Sequence, residues 1–151
     1  MEVSYTFQRG DKFGEFAEIV AEESRVAAQQ CVDVTVPAVR SFAPKDLGVF
    51  IDSIVGQVTE DANSVTGSVS STDDPIKVAV IEGGRAPGTY PPVGIITLWA
   101  NRHGIPPFLA GRAIFENGIA PVRPFGQAEE STAPQIQEIY AQFGERVAAR
   151  M

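Results

Sequence analysis

The stretch that most restricts the fold is Gly83-Gly84-Arg85-Ala86-Pro87-Gly88-Thr89-Tyr90-Pro91-Pro92, with three glycines and three prolines in ten residues. Proline lacks the N–H that a helix or a ladder uses, and glycine loses the most backbone freedom on folding, so no regular element crosses it. The fold must be assembled from elements that stop before this stretch and restart after it, leaving the stretch as an exposed loop. The chain's 151 residues suit one core, and one domain is expected over residues 1–151. Hydrophobic residues at 44% and charged residues at 21% supply the apolar surface for that core.

Upstream of the loop, Val3, Tyr5 and Phe7 alternate with Ser4 and Thr6, the period of a half-buried strand. A turn at Arg9-Gly10 follows, and Asp11 is placed to cap a helix in which Phe13, Phe16, Val20 and Ala27 share one face. Cys31, Val32, Thr35, Val39 and Phe42 continue that face, as one long helix or two in series. The helical region ends near Phe42 because Pro44 biases Ala43 away from the α conformation. Pro37 removes a hydrogen bond and crowds the carbonyl of Asp33, so a kink or break is expected there. Residues 46–53 read as a turn or short helical piece. Residues 55–60 and 65–70 form a hairpin about the polar turn 61–64, one face to the core and one to solvent or a partner. Residues 74–83 suit a strand by their β-branched content, but Asp74-Pro75 is a helix start, and the helix is the reading adopted.

Downstream, Ile95, Leu98 and Trp99 mark a helix that reaches His103 with Gly104 as its left-handed cap, Trp99 lying in the core. Pro106 or Pro107 opens another helix, with Leu109, Ala113 and Ile114 inward and Gly118 as its stop. Arg123-Pro124-Phe125 reads as a rigid connector whose Phe125 packs down, with binding as a secondary role. Thr132-Ala133-Pro134-Gln135 has the pattern of a capping box that starts the last helix. Ile136, Ile139, Tyr140, Phe143 and Val147 form its stripe, and Arg146 and Arg150 favour the dipole at its end. The expected fold is α+β: a small antiparallel or mixed sheet packed against a long N-terminal helical region and a C-terminal helix.

No catalytic set emerges, and no enzyme, cofactor or metal is expected. Residues 76–88 look like the first strand and turn of a dinucleotide-binding domain, but Gly83, Gly84 and Gly88 miss the G-x-G-x-x-G spacing and prolines occupy the place of the helix. A P-loop lysine and a Gly-x-Ser-x-Gly elbow are both absent. His103 and Cys31 are the only residues of their kinds, too few for the usual metal sets. Cys31 reads as a buried small hydrophobe, and His103 as a helix-end residue. The acidic pairs Glu22-Glu23, Asp73-Asp74 and Glu129-Glu130 read as solvated, and Glu82 as a carboxylate that accepts loop amides or pairs with Arg85. Apolar runs stop well short of about 18 residues and the N-terminus lacks a basic and an apolar region, so neither membrane association nor a signal peptide is expected.

A formal charge of −7 argues against a protein that grips DNA, because nonspecific affinity comes from lysine and arginine. The same sign suits either an ordinary acidic surface or a wall past which DNA slides, with Glu60, Asp61, Asp73 and Asp74 as candidates to line such a wall. The free surfaces on which a partner can dock are the hairpin and the loop with its flanks: Glu82, Gly83, Gly84, Arg85, Pro87, Gly88, Tyr90, Pro91 and Pro92, joined by Arg123 and Phe125.

Three motif groups stand in order along the chain: Ala43-Pro44 with Gly48, Phe50, Ser53 and Ile54; Ile81-Glu82-Gly83-Gly84 with Pro87-Gly88-Thr89-Tyr90-Pro91-Pro92; and Trp99, Arg112-Ala113-Ile114, Gly118 and Pro124-Phe125. In this order and spacing the chain resembles the tail-completion and head-tail joining proteins of long-tailed double-stranded DNA bacteriophages, over most of residues 11–150. It departs from them at Leu47, where that family often has Thr before Gly. The resemblance implies a virion structural protein that forms a ring, typically of six copies, at the head-tail interface. Its neighbours would be a head connector or stopper protein and a tail tube or terminator protein. DNA would pass through without specific binding, and assembly would occur in the bacterial host cytoplasm. A tail terminator capping the tube is the alternative within virions; a small non-virion binding domain is the alternative outside them.

Overall fold

The computed structural model describes residues 1–8, 14–46 and 48–151. The turn expected at Arg9-Gly10, the cap at Asp11, Phe13 and the departure at Leu47 lie outside the described residues. In chain order the elements are β1 (Glu2–Gln8), α1 (Glu15–Phe42), α2 (Val49–Asp52), β2 (Ile54–Glu60), β3 (Ser64–Ser71), α3 (Pro75–Gly83), α4 (Val93–Arg102), α5 (Pro107–Asn117) and α6 (Pro124–Ala149). The fold is α+β, and its sheet is fully antiparallel in the order β1-β3-β2.

The sheet's inner face carries Val3, Tyr5 and Phe7 opposite Val69, Gly67 and Val65, with Gly56 and Val58 on the far side of β3. Two glycines let α1 lie directly on it. A Cβ at Gly67 would sit 2.9 Å from the carbonyl oxygen of Ala28, and one at Gly56 would run into the Val32 side chain. Phe7 stacks on Tyr140 of α6 at 5.0 Å and meets Phe143 edge-on at 5.1 Å, so α6 covers the same face of the sheet beside α1. Glu23, early in α1, meets Arg146 and Arg150, late in α6, so the two long helices pack antiparallel.

Both long helices run through a proline. The break expected at Pro37 does not occur: α1 is continuous to Phe42, and Ala43 is extended at ψ 147 as Pro44 requires. The capping-box reading is also overturned, because α6 begins at Pro124 and carries Pro134 inside it, while Thr132 is buried mid-helix and donates to the Ala128 carbonyl at 2.8 Å. One geometry explains both. Pro37 and Asp33 are exposed, as are Pro134 and Glu130, so each proline sits on the solvent side of its helix, where water can serve the carbonyl that loses its helical donor.

Residues 74–83 form the expected helix, with the Asp74 carboxylate accepting from Ile76 N at 2.8 Å and Pro75 at its first position. The left-handed stop is Gly84, at φ 74, one residue beyond Gly83. The expected inward faces of α4 and α5 are corrected. These two helices pack chiefly on each other, through Ile96, Ala100 and Ala110 with Ile114 partly covered. Ile95, Leu98, Trp99, Leu109 and Ala113 are exposed. Each helix carries apolar residues on more than one face, so periodicity alone does not say which face is buried.

Candidate functional site

The site is best built outward from Glu82. Arg123, the residue before α6, sits at φ 57 and gives that helix no side-chain cap. The orphan amides at its start are met by Glu82, whose Oε2 accepts from Phe125 N at 3.0 Å and whose Oε1 accepts from Gly126 N at 2.9 Å. Glu82 therefore accepts backbone amides as expected, but those of α6 rather than of the loop, and Arg85 is not its partner. Phe125 packs down as anticipated, at 1% exposure, and so is closed to any partner.

From this anchor the chain leaves as a helical hairpin. Val122 N and Arg123 N both donate to the Ile81 carbonyl, and Arg85 and Ile119 exchange backbone hydrogen bonds of 2.8 Å in each direction. Gly84 faces this pinch: a Cβ there would meet the Ile119 oxygen at 2.6 Å and Pro121 at 2.9 Å. The Gly/Pro loop is strapped to α5 rather than free. Gly88 N donates to the Phe115 carbonyl at 2.8 Å, and Tyr90 stacks on Phe115 at 4.5 Å. The Arg85 guanidinium donates to the Thr89 and Tyr90 carbonyls, and Pro91 is buried. The residues singled out for an interface thus divide: Gly83, Pro87, Gly88, Tyr90, Pro92 and Arg123 are exposed, while Glu82, Pro91 and Phe125 are buried and Gly84 and Arg85 half-buried.

The exposed surface that periodicity missed lies on the two helices. Val93, Ile95 and Leu98 of α4 and Phe108 of α5 are between 67% and 77% exposed, with Trp99 and Leu109 beside them in sequence and also exposed. The His103 ring stacks on Trp99 at 4.4 Å, its Nδ1 2.9 Å from the Trp99 carbonyl oxygen, which gives the lone histidine its helix-end place. A second apolar stripe on each helix was the sequence signal for this surface.

The acids chosen to line a lumen do not converge. Glu60, at the end of β2, accepts two hydrogen bonds from Arg25 of α1, and Asp61 accepts from the Asn63 and Ser64 amides and the Ser64 hydroxyl, which fixes the turn. Asp73 pairs with Lys77 at 2.6 Å, which lowers its carboxyl below the ordinary range, and Asp74 caps α3. The eight residues of β3 put roughly 27 Å between the two pairs.

Glu23 overturns the solvated reading of the pair Glu22-Glu23. It is buried beneath Arg150 and Arg146, at 2.9 and 2.6 Å, and their hydrogen bonds hold its carboxyl below the usual range. Cys31 is fully buried, which pushes its thiol up to about 11. Among the described residues no three His, Cys, Asp or Glu side chains come together as a metal set, and no helix is long and apolar enough to cross a membrane. No protein-family model matches the chain, nor does any curated protein or solved structure.

Proposed function

We propose that this chain is a structural protein of a long-tailed double-stranded DNA bacteriophage virion, a subunit of a ring that completes the tail and joins it to the head connector. The observation that carries the reading is the apolar face of the α4–α5 hairpin, where Val93, Ile95, Leu98 and Phe108 stand at least 67% exposed. Large apolar side chains left exposed together on one short segment point to a contact with another macromolecule. The order of the motifs around Pro44, Glu82 and Pro124 supports placing that contact in a phage neck. The ring's other neighbours would be a head connector or stopper protein and a tail tube or terminator protein.

Mass spectrometry of purified virions tests this directly. The chain is expected among the virion proteins, with a six-fold ring at the head-tail junction in electron micrographs. Finding it only in host cytosol, with no copies in virions, would sink the proposal.

A further inference from the structure

Residues 84–123 are anchored to the rest of the chain at one narrow base. Among the described residues, none of them enters the core that the sheet, α1 and α6 share, and the hairpin has a small core of its own in Ile96, Ala100 and Ala110 with Ile114 against them. At the base the Val122 and Arg123 amides donate to the Ile81 carbonyl and the Gly84 amide to the Val80 carbonyl, which fixes the chain on the body side. On the hairpin side the Arg85–Ile119 pair ties the two crossings together, so the helices beyond it move as one piece. Between these two sets of hydrogen bonds lie only Gly84 on one crossing and Ala120-Pro121 on the other. Hinges are short stretches of this kind at the ends of elements, where a few torsions absorb a rotation and the helices stay intact.

One contact holds the hairpin far from its base. Arg102, the last residue of α4, donates from Nη2 to Oδ2 of Asp46 at 2.8 Å, and Asp46 lies 56 residues back, in the turn after α1. The 10 residues of α4 carry Arg102 roughly 15 Å along that helix from the loop that leads into it. Both side chains of the pair are 38% exposed, so water and salt reach it. Exposed pairs of this kind shift an equilibrium by at most about fivefold.

We infer that the α4–α5 hairpin is a hinged arm, closed onto the body by the Arg102–Asp46 pair and swinging about Gly84 and Ala120-Pro121 when that pair is broken. The pair is weak enough for ionic strength alone to move the arm between its closed and open populations. The inference concerns motion within one chain and is independent of the virion assignment.

The test places nitroxide labels on the full chain at Asn101→Cys, near the end of the arm, and Gln135→Cys on α6, both exposed positions. Cys31 is fully buried and stays unlabelled. Pulsed electron paramagnetic resonance is expected to give one main distance at low salt. A second distance should gain up to about fivefold in share in Asp46→Asn, in Arg102→Gln and in 1 M salt, where the screening length is about 3 Å. The double variant Asp46→Arg with Arg102→Asp restores the pair with its signs exchanged and should return the parent's distribution. Labels at Ser41→Cys and Gln135→Cys, both on the body, should keep one distance throughout, and thermal melts matching the parent establish that each variant is folded. A distribution unchanged by Asp46→Asn and by salt would overturn the inference, because the base alone would then fix the arm. So would a double variant as spread as the single ones, since Asp46 and Arg102 would then act separately and not as a latch.

Discussion

At Glu23 one carboxylate serves two guanidiniums, 123 and 127 residues away in sequence, and ties the start of α1 to the end of α6. Its carboxyl lies below the ordinary range when the chain is folded and near about 4.3 when it is not, so the native state binds fewer protons than the unfolded one. The stabilisation is complete above that unfolded value and is lost as pH falls through the lower native one. Glu23→Gln is expected to cost about 1.5–3 kcal/mol at neutral pH, the range for hydrogen bonds to charged groups. Thermal melts from pH 7 to pH 3 should show the gap between the two proteins closing in acid. A gap that stays constant with pH would mean that shape, not charge, holds the contact.

At the scale of elements, Glu82 is the residue on which the start of α6 depends. Glu82→Ala leaves the Phe125 and Gly126 amides without an acceptor and should lower stability by about 1–3 kcal/mol in denaturant melts, with the helical content little changed. An unaltered midpoint would show that water replaces the carboxylate at no cost. The same bond explains where the sequence could and could not be read. β1, the β2–β3 hairpin, the start of α3 and the end of α1 follow local rules, the strands by alternation and the helices by Asp74-Pro75 and Pro44. The start of α6 follows no local rule, because its cap comes from 43 residues upstream, and Thr132 offered a false local cap. Of the candidate site, the extent of the loop was legible from its glycines and prolines. Its strapping to Phe115 was not, since Gly88 N and the Tyr90 ring find their partners only after α5 has folded back. Nor did the choice between two apolar stripes on α4 show, because burial is decided by the partner helix.

The whole molecule divides into a body, with α1 and α6 packed side by side on one face of the sheet, and a hairpin joined to it through the Arg85–Ile119 pair. Because Arg85 and Ile119 form a hydrogen-bonded antiparallel pair, a two-residue Asn-Gly turn fits between them. Replacing residues 86–118 with that turn should leave a folded body within about 1 kcal/mol of the parent, since the Arg102–Asp46 pair it removes is an exposed one. The shortened chain should melt cooperatively and stay monomeric at every concentration in sedimentation, whereas an unfolded product would place the hairpin inside the folding unit. The narrow base has a kinetic counterpart. Amide protons of α4 and α5 should exchange with solvent through local opening of the hairpin, while those of α1 and β3 wait for the whole chain to unfold. Substitutions between residues 86 and 118 are then largely released from the requirement to keep the body folded, and this segment is free to diverge with whatever it must fit.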